Sequence, residues 1–203
     1  MIAIDPSNQT ERENYKLLIG SIIPRPIAFV TSLSAEGVLN AAPFSYFTIV
    51  TADPPMVAVS VQRKQGKRKD TSRNAMDRGE FVVHISDESY ISQINQAAAA
   101  LPPDESEVAL SGLTPVESTK IAVPGIAEAS IRMECVLEQA IPLGGTEGAP
   151  SADLLIGRVV HFHIADALYE NGHIDAQKLK PVSRLAGNSY AKLGEQFEIE
   201  RPV

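Results

Sequence analysis

Cysteine is nearly missing from this chain of 203 residues: Cys135 stands alone, so no internal disulfide can form, in keeping with a reducing compartment. Long hydrophobic runs are missing as well, the longest candidates being interrupted stretches such as Met56 to Val61, too short to cross a bilayer. The opening Met1-Ile2-Ala3-Ile4-Asp5-Pro6 lacks a basic segment followed by an apolar stretch, so no export signal is read and the expected location is cytoplasmic. Positive charge is in short supply. Eighteen Lys and Arg against 25 Asp and Glu leave a net charge of -7, which repels both nucleic-acid backbone and anionic lipid and argues against either as a partner. Local signatures are absent too: no G-x-S-x-G elbow, no P-loop, no G-x-G-x-x-G turn and no H-E-x-x-H helix occurs, which removes the common marks of hydrolases, P-loop enzymes, dinucleotide domains and zinc proteases.

What is there describes one globular domain over residues 1–203. Hydrophobic residues make up 44% and charged residues 21%, enough to bury a sizeable core without adding a second. Ile27 to Ser32, Phe44 to Thr51, Met56 to Gln62 and Phe81 to Ser86 are short, rich in β-branched and aromatic residues, and bounded by Pro, Gly, Asn or Asp, so they read as strands. Val57, Val59 and Val61 alternate with polar or small neighbours, and Ile131, Met133, Cys135 and Leu137 alternate with Arg132, Glu134 and Glu138; the latter pattern is that of a half-buried strand with its charges outward. Leu154 to Ala165 is a further strand. Cys135 falls on an apolar face, where a small core residue is expected rather than a reactive thiol.

Helices are expected at three places. Asn8 and Glu11 have capping-box spacing before Tyr15, Leu18 and Ile19; Asp87 precedes Tyr90, Ile91, Ile94, Ala98 and Leu101 on one face; a short helix begins near Asp70 and stops at Gly79. The Pro-rich stretch from Leu101 to Gly125 and the Gly-rich stretch from Leu143 to Pro150 read as loops. Short strands with helices inserted between them, and no regular alternation, favour a β-barrel over a doubly wound sheet.

Two stretches could hold a ligand. Arg63, Lys64, Lys67, Arg68, Lys69 and Arg73 gather six basic residues into eleven positions opposed only by Asp70, and they run into a helix start at Lys69-Asp70-Thr71-Ser72, where free N–H groups favour an anion. On spacing alone a solvated basic loop stays open. Gly37 through Ser45 links two strand candidates with small residues, including Asn40, and would let a flat ligand approach the backbone, or would simply turn the chain. His161 and His163 share a strand face without a third ligand, which points to packing rather than metal, and His84 and His173 have no nucleophile or orienting carboxylate beside them. With no catalytic side chain in view, a borrowed cofactor is the economical source of chemistry.

The order of the motifs resembles one family. Arg25-Pro26-Ile27-Ala28-Phe29-Val30-Thr31-Ser32, Gly37 through Ser45, Asp53-Pro54-Pro55-Met56, Lys69-Asp70-Thr71 with Asn74, Gly79-Glu80-Phe81-Val82-Val83, Ser111-Gly112-Leu113, Glu134-Cys135 and Arg184-Leu185-Ala186-Gly187 with Tyr190 are similar to the flavin reductase-like FMN-binding split-barrel proteins, which include flavoredoxins and reductase components of two-component monooxygenases. The resemblance covers most of the chain. It implies a mainly β fold, an antiparallel Greek-key split β-barrel with flanking helices, with the N-terminal helix and the C-terminal segment packed on the barrel. It also implies a homodimer with FMN near the subunit interface. Carried over by position, Asn40, Ala41, Ala42 and Ser45 would line the flavin ring or ribityl chain, and Lys69, Asp70 and Thr71 the phosphate. Thr48, Ser60 and Tyr190 are further candidates for flavin contact, while Arg25 and the basic residues Arg63 to Arg68 would meet a pyridine nucleotide. The implied activity is hydride transfer from NADH or NADPH to flavin, with electrons passed to free flavin, oxygen or a redox protein. A flavoredoxin-like carrier that does not use NAD(P)H, and a non-catalytic flavin-binding protein, are the alternatives.

Overall fold

A computed structural model describes residues 1–146 and 148–202. Seven strands form one antiparallel sheet: β1 (Ala28–Leu33), β2 (Leu39–Phe44), β3 (Phe47–Ala52), β4 (Pro55–Gln62), β5 (Glu80–Ile85), β6 (Ile131–Leu143) and β7 (Ala152–Ile164), in the spatial order β2-β1-β5-β6-β7-β4-β3. Phe44 from one edge strand and Phe47 from the other pack on the same apolar cluster, with Val30, Val59, Val61, Phe81, Cys135 and Leu155. The sheet is therefore rolled on itself, and this is the split barrel that the resemblance implied. Gly157 sits at an irregularity in the β6–β7 pairing, where a Cβ would overlap the Phe81 ring and crowd Cys135; only glycine lets the barrel close over that ring. Cys135 is fully buried, and burial, with the Glu134 charge adding to it, pushes its thiol up to about 12, in line with a core role.

The helices flank this barrel: α1 (Glu11–Ser21), α2 (Asp70–Arg78), α3 (Ile91–Gln96) and α4 (Glu107–Ser111). Three boundaries differ from those read in the sequence. The capping box is Thr10 with Glu13, not Asn8 with Glu11, because Asn8 ends a separate turn, Pro6–Asn8, capped by Asp5. Asp87 accepts from the Ser89 N–H and the Ser130 hydroxyl instead of capping, so α3 starts only at Ile91, and Ala98 and Leu101 lie beyond its end. The supposed loop from Leu101 to Gly125 contains α4, stopped by Gly112 at a φ of 63°. The stretch α2 ends as expected, at Gly79 with a φ of 73°, a conformation that costs glycine little.

Strand β2 occupies the stretch that the sequence predicts as a link. Asn40-Ala41-Ala42-Pro43 has weak strand preference, but it pairs along its whole length with β1, from Ala28↔Phe44 to Leu33↔Leu39, and pairing overrides propensity. The single strand expected from Phe44 to Thr51 is thus two, broken at Ser45 and Tyr46. A second correction concerns Glu134. It alternates with apolar residues, yet it is fully buried and accepts hydrogen bonds from the Thr119 N–H (2.6 Å), the Lys120 N–H (2.7 Å) and His163 Nε2 (2.6 Å). Burial raises this carboxyl's pKa, but those partners outweigh it and hold it below the ordinary value. A strand whose outer face is itself covered by a loop has no solvent side at that position. No group of three or more metal-ligating side chains occurs among the described residues, and His163 is engaged by Glu134.

His84 shows the same kind of internal use. Its Nδ1 donates to the Phe29 carbonyl at 2.8 Å and its Nε2 accepts the Ile126 N–H at 2.9 Å, bonds that only the neutral ring makes together. Burial, against the Phe29 carbonyl and helped by the Arg132 charge, lowers its pKa to about 3. The unfolded chain takes up this proton near 6.5 and the folded chain does not. Stability that is complete above pH 6.5 should therefore fall by about 1.4 kcal/mol for each pH unit toward 3. Urea midpoints between pH 7 and 5 should show that slope in the parent and a flatter one in His84→Gln; equal slopes would exclude His84 as the source.

Candidate functional site

One cleft of about 430 Å³ collects the basic segment and the small residues of β2. Its walls include Asn40, Ala42 and Phe44 from β2, Lys64, Gln65, Lys67, Arg68 and Lys69 between β4 and α2, Asp70 and Thr71 at the start of α2, the alanine run 97–100, and Glu107 of α4. Alternation along β2 decides which residues face it: Asn40 and Ala42 do, while Ala41 packs on the opposite side with Phe29, Tyr90 and Ile94.

The cation-rich loop is less positive than its composition. Arg63 donates to the Asp153 carboxylate from Nε at 3.0 Å and Nη2 at 2.5 Å, Ser72 donates to it at 3.2 Å, and Arg68 lies 3.6 Å away. Asp153 is 1% exposed. Burial raises its carboxyl, but Arg63 chiefly, then Ser72 and Arg68, bring it below the ordinary value. Arg73 pairs with Asp70. Among the described residues no carboxylate pairs with Lys64, Lys67 or Lys69, so these three carry the free charge of the cleft. Lys69 lies 5.9 Å over the Phe44 ring, and burial against this wall, followed by the Lys64 charge, lowers its pKa. An ammonium held in that way gains from an anion beside it.

Lys69 is also the N-cap of α2, and no side chain caps the helix. The first-turn N–H groups of Asp70, Thr71 and Ser72 find no acceptor among the described residues. Free helix N–H groups, the helix dipole and three lysines make a seat for a phosphate or similar anion. The Thr71 hydroxyl takes no part as a donor, because it donates to Asn40 Oδ1 at 2.9 Å; its N–H is the group left without an acceptor among the described residues.

At the floor of the cleft, the Asn40 carboxamide is engaged at both ends. Its Nδ2 donates to Glu107 Oε2 at 2.9 Å, and its Oδ1 accepts from Thr71 and, at 3.3 Å, from Ser32. Glu107 Oε2 accepts the Ala41 N–H as well, at 3.2 Å. Burial raises the Glu107 carboxyl's pKa.

The structure thus brings Asn40, Ala42, Lys69, Asp70 and Thr71 into one cleft. Ser45, Thr48 and Ser60 lie outside it, along the β3–β4 side: Ser45 in the connection after β2, Thr48 exposed on β3, and Ser60 accepting from Gln62 on β4. Tyr190 lines a separate groove of about 570 Å³ on the flank of α3, with its hydroxyl 3.3 Å from Asn95 and Arg184 over its ring. Arg25 is buried, and its Nη1 and Nη2 donate to the carbonyls of Ile19, Ile22 and Leu185, which ties the end of α1 to the C-terminal region and away from the cleft, contrary to the expectation of a second anion site; its buried Nε finds no partner among the described residues. Arg63 is likewise spent on Asp153. Sequence reasoning missed Asp153 and Glu107. Neither has a local signal, since one is the second residue of a strand and the other sits in a Pro-rich stretch.

Comparison with known proteins adds independent findings. Residues 19–178 match the family described as flavin reductase like domain. The fold is similar to the crystal structure of nitrilotriacetate monooxygenase component B from Bacillus cereus, with 69% identity, 98% of each chain covered and a TM-score of 0.97. It is also similar to the 2-nitrobenzoate 2-nitroreductase of Pseudomonas fluorescens, with 30% identity, 99% of this chain and 96% of that one covered, and a TM-score of 0.89. An uncharacterised protein of Bacillus subtilis is 56% identical over 94% of both chains.

Proposed function

The chain belongs to the flavin reductase-like domain family and is an oxidoreductase of that type; from this we propose that it is a single-domain NAD(P)H:flavin reductase that holds FMN in the Lys69 cleft. The observation that carries the reading is the uncapped N-terminus of α2 beside three lysines that no carboxylate pairs with among the described residues, which fits the phosphate of FMN in charge and in hydrogen-bond donors. Lys69 and the N–H groups of Asp70 and Thr71 hold the phosphate. Ala42 leaves room for the ring to approach the β2 backbone, with Asn40 and Ala41 setting the strand's position, and Ser45, Thr48, Ser60 and Tyr190 are outer candidates for contact. When bound, flavin supplies the two-electron chemistry.

No side chain of the cleft is placed as an acid or a nucleophile, so the protein's part is to bind, orient and restrict water. NADH or NADPH is the proposed donor, and free flavin, as for a partner monooxygenase, the proposed acceptor. The name of the Bacillus cereus neighbour, a monooxygenase component, favours this over a carrier that takes its electrons from another protein. A homodimer is part of the proposal. Ile49 on the edge strand β3 is 77% exposed, and Leu18 and Ile22 at the end of α1 are also open, the kind of apolar surface a second copy would cover.

The test is spectroscopic. Protein reconstituted with FMN should retain a flavin absorption band after removal of free ligand, and anaerobic NADH or NADPH should bleach it. Failure to retain FMN overturns the cleft assignment. Retention without bleaching by either nucleotide, but with reduction by a redox protein, transfers the case to the flavoredoxin-like alternative.

A further inference from the structure

Three elements meet at the floor of the cleft, and one carboxylate joins them. Glu107 stands at the first position of α4, Asn40 on β2, and Thr71 in the first turn of α2. All three are at least 94% buried, with relative exposures of 5%, 6% and 1%. The bonds run in one direction: Thr71 Oγ1 donates to Asn40 Oδ1, Asn40 Nδ2 donates to Glu107 Oε2, and the Ala41 N–H donates to the same oxygen. Polarity fixes the orientation of the carboxamide. A carboxylate only accepts, so it must face the NH2 end of Asn40, and the oxygen end is thereby turned toward Thr71. Without the acceptor at position 107, nothing in this set distinguishes the two flips of the amide, and a flipped Asn40 would point its NH2 group at the Thr71 hydroxyl.

We propose that Glu107 is a positioning residue of the cleft: by orienting Asn40 it locks the first turn of α2 to β2, so that the anion seat and the small-residue strand are held at a fixed spacing. The inference rests on the reading of the cleft as a flavin site, and it assigns Glu107 no contact with the reacting atoms. Its consequence is selective. A ligand that must meet both ends at once, such as FMN, gains from the fixed spacing, because preorganisation lowers the cost of binding. Inorganic phosphate meets only the α2 end and gains nothing.

FMN affinity, read from quenching of flavin fluorescence, and phosphate affinity, read from competition with FMN, should be measured for the parent, Glu107→Ala, Glu107→Gln, Thr71→Val and the double variant Glu107→Ala/Thr71→Val. Hydrogen bonds to a charged acceptor are of a strength that predicts a roughly ten- to hundredfold loss of FMN affinity in Glu107→Ala, with phosphate affinity unchanged. Glu107→Gln, whose amide oxygen can accept both bonds, should restore FMN binding. Thr71→Val should lose affinity, and the double variant should lose little more than the worse single one, because both act through Asn40. Parent-like FMN binding by Glu107→Ala, equal losses of FMN and phosphate, or no rescue by glutamine would each overturn the proposal. If Glu107→Ala does not fold, Thr71→Val and Glu107→Gln decide: the first must lose FMN while the second keeps it. A parent protein that binds phosphate but not FMN would refute the flavin reading itself.

Discussion

Replacing Lys69 with glutamate lowers FMN affinity by about two orders of magnitude, roughly 3 kcal/mol, because the variant loses a charge-assisted bond and gains a repulsion at the phosphate. The residue is singled out by its position. It is the N-cap of α2, it has no side-chain cap bond, and it is one of three lysines in the cleft that no carboxylate pairs with among the described residues. Lys69→Gln should fall between the two, since it removes the attraction without adding repulsion. Raising ionic strength should narrow the gap between the parent and the glutamate variant, because salt screens the part of the effect that is purely Coulombic. Fluorescence titrations at low and high salt measure both. Equal affinity in parent and Lys69→Glu would take Lys69, and with it the end of α2, out of the site.

Asp153→Ala should cost about 2–3 kcal/mol of folding stability, the size of hydrogen bonds to a charged group. The carboxylate is almost completely enclosed and accepts two bonds from Arg63 and one from Ser72. Alanine would leave the half-buried Arg63 guanidinium without its counter-charge. Urea unfolding at pH 7 measures the loss, and a value below about 1 kcal/mol would show that Arg63 finds water or another acceptor instead. The pH dependence has a definite sign. Because the folded carboxyl is held below its ordinary value of 3.8, the contribution is complete above that pH and is lost only as pH falls through the lower folded value. The parent and Asp153→Ala should therefore converge in stability under strongly acid conditions.

These two residues also show how much of the site could be read in advance. Lys69, Asp70 and Thr71 were legible because their signal is local: a run of cations, then a helix start, then Gly79 to stop the helix. Asn40 and Ala42 were legible only as members of a small-residue stretch whose conformation was misjudged, since Asn-Ala-Ala-Pro has no strand preference of its own and becomes a strand by pairing with β1. Asp153 and Glu107 were not legible at all. Asp153 is 84 residues from Lys69 and Glu107 is 67 from Asn40, and no spacing rule spans such separations.

The charge count was misleading for the same reason. Six basic residues in eleven positions look like a broad anion patch, but Arg63 is turned inward to Asp153 and Arg73 to Asp70, so the free charge is that of the lysines. Glu134 departs from its sequence pattern for a related reason. An alternating strand predicts a wet face, and a loop folded over that face makes it a dry one in which the carboxylate is met by two backbone N–H groups and a histidine.

By itself, the amino-acid order determined the elements whose physics is local: the valine and isoleucine alternation of the barrel strands, the stop at Gly79, the inert Cys135 on an apolar face, and a start of α2 that follows a run of cations. The rolled sheet alone decided which side chains share a cleft, which arginines are turned to internal carboxylates, and which way the Asn40 amide points. Those outcomes depend on pairing and burial between distant segments, where the dielectric and the available partners are set by what has packed around a group and not by its neighbours in the chain.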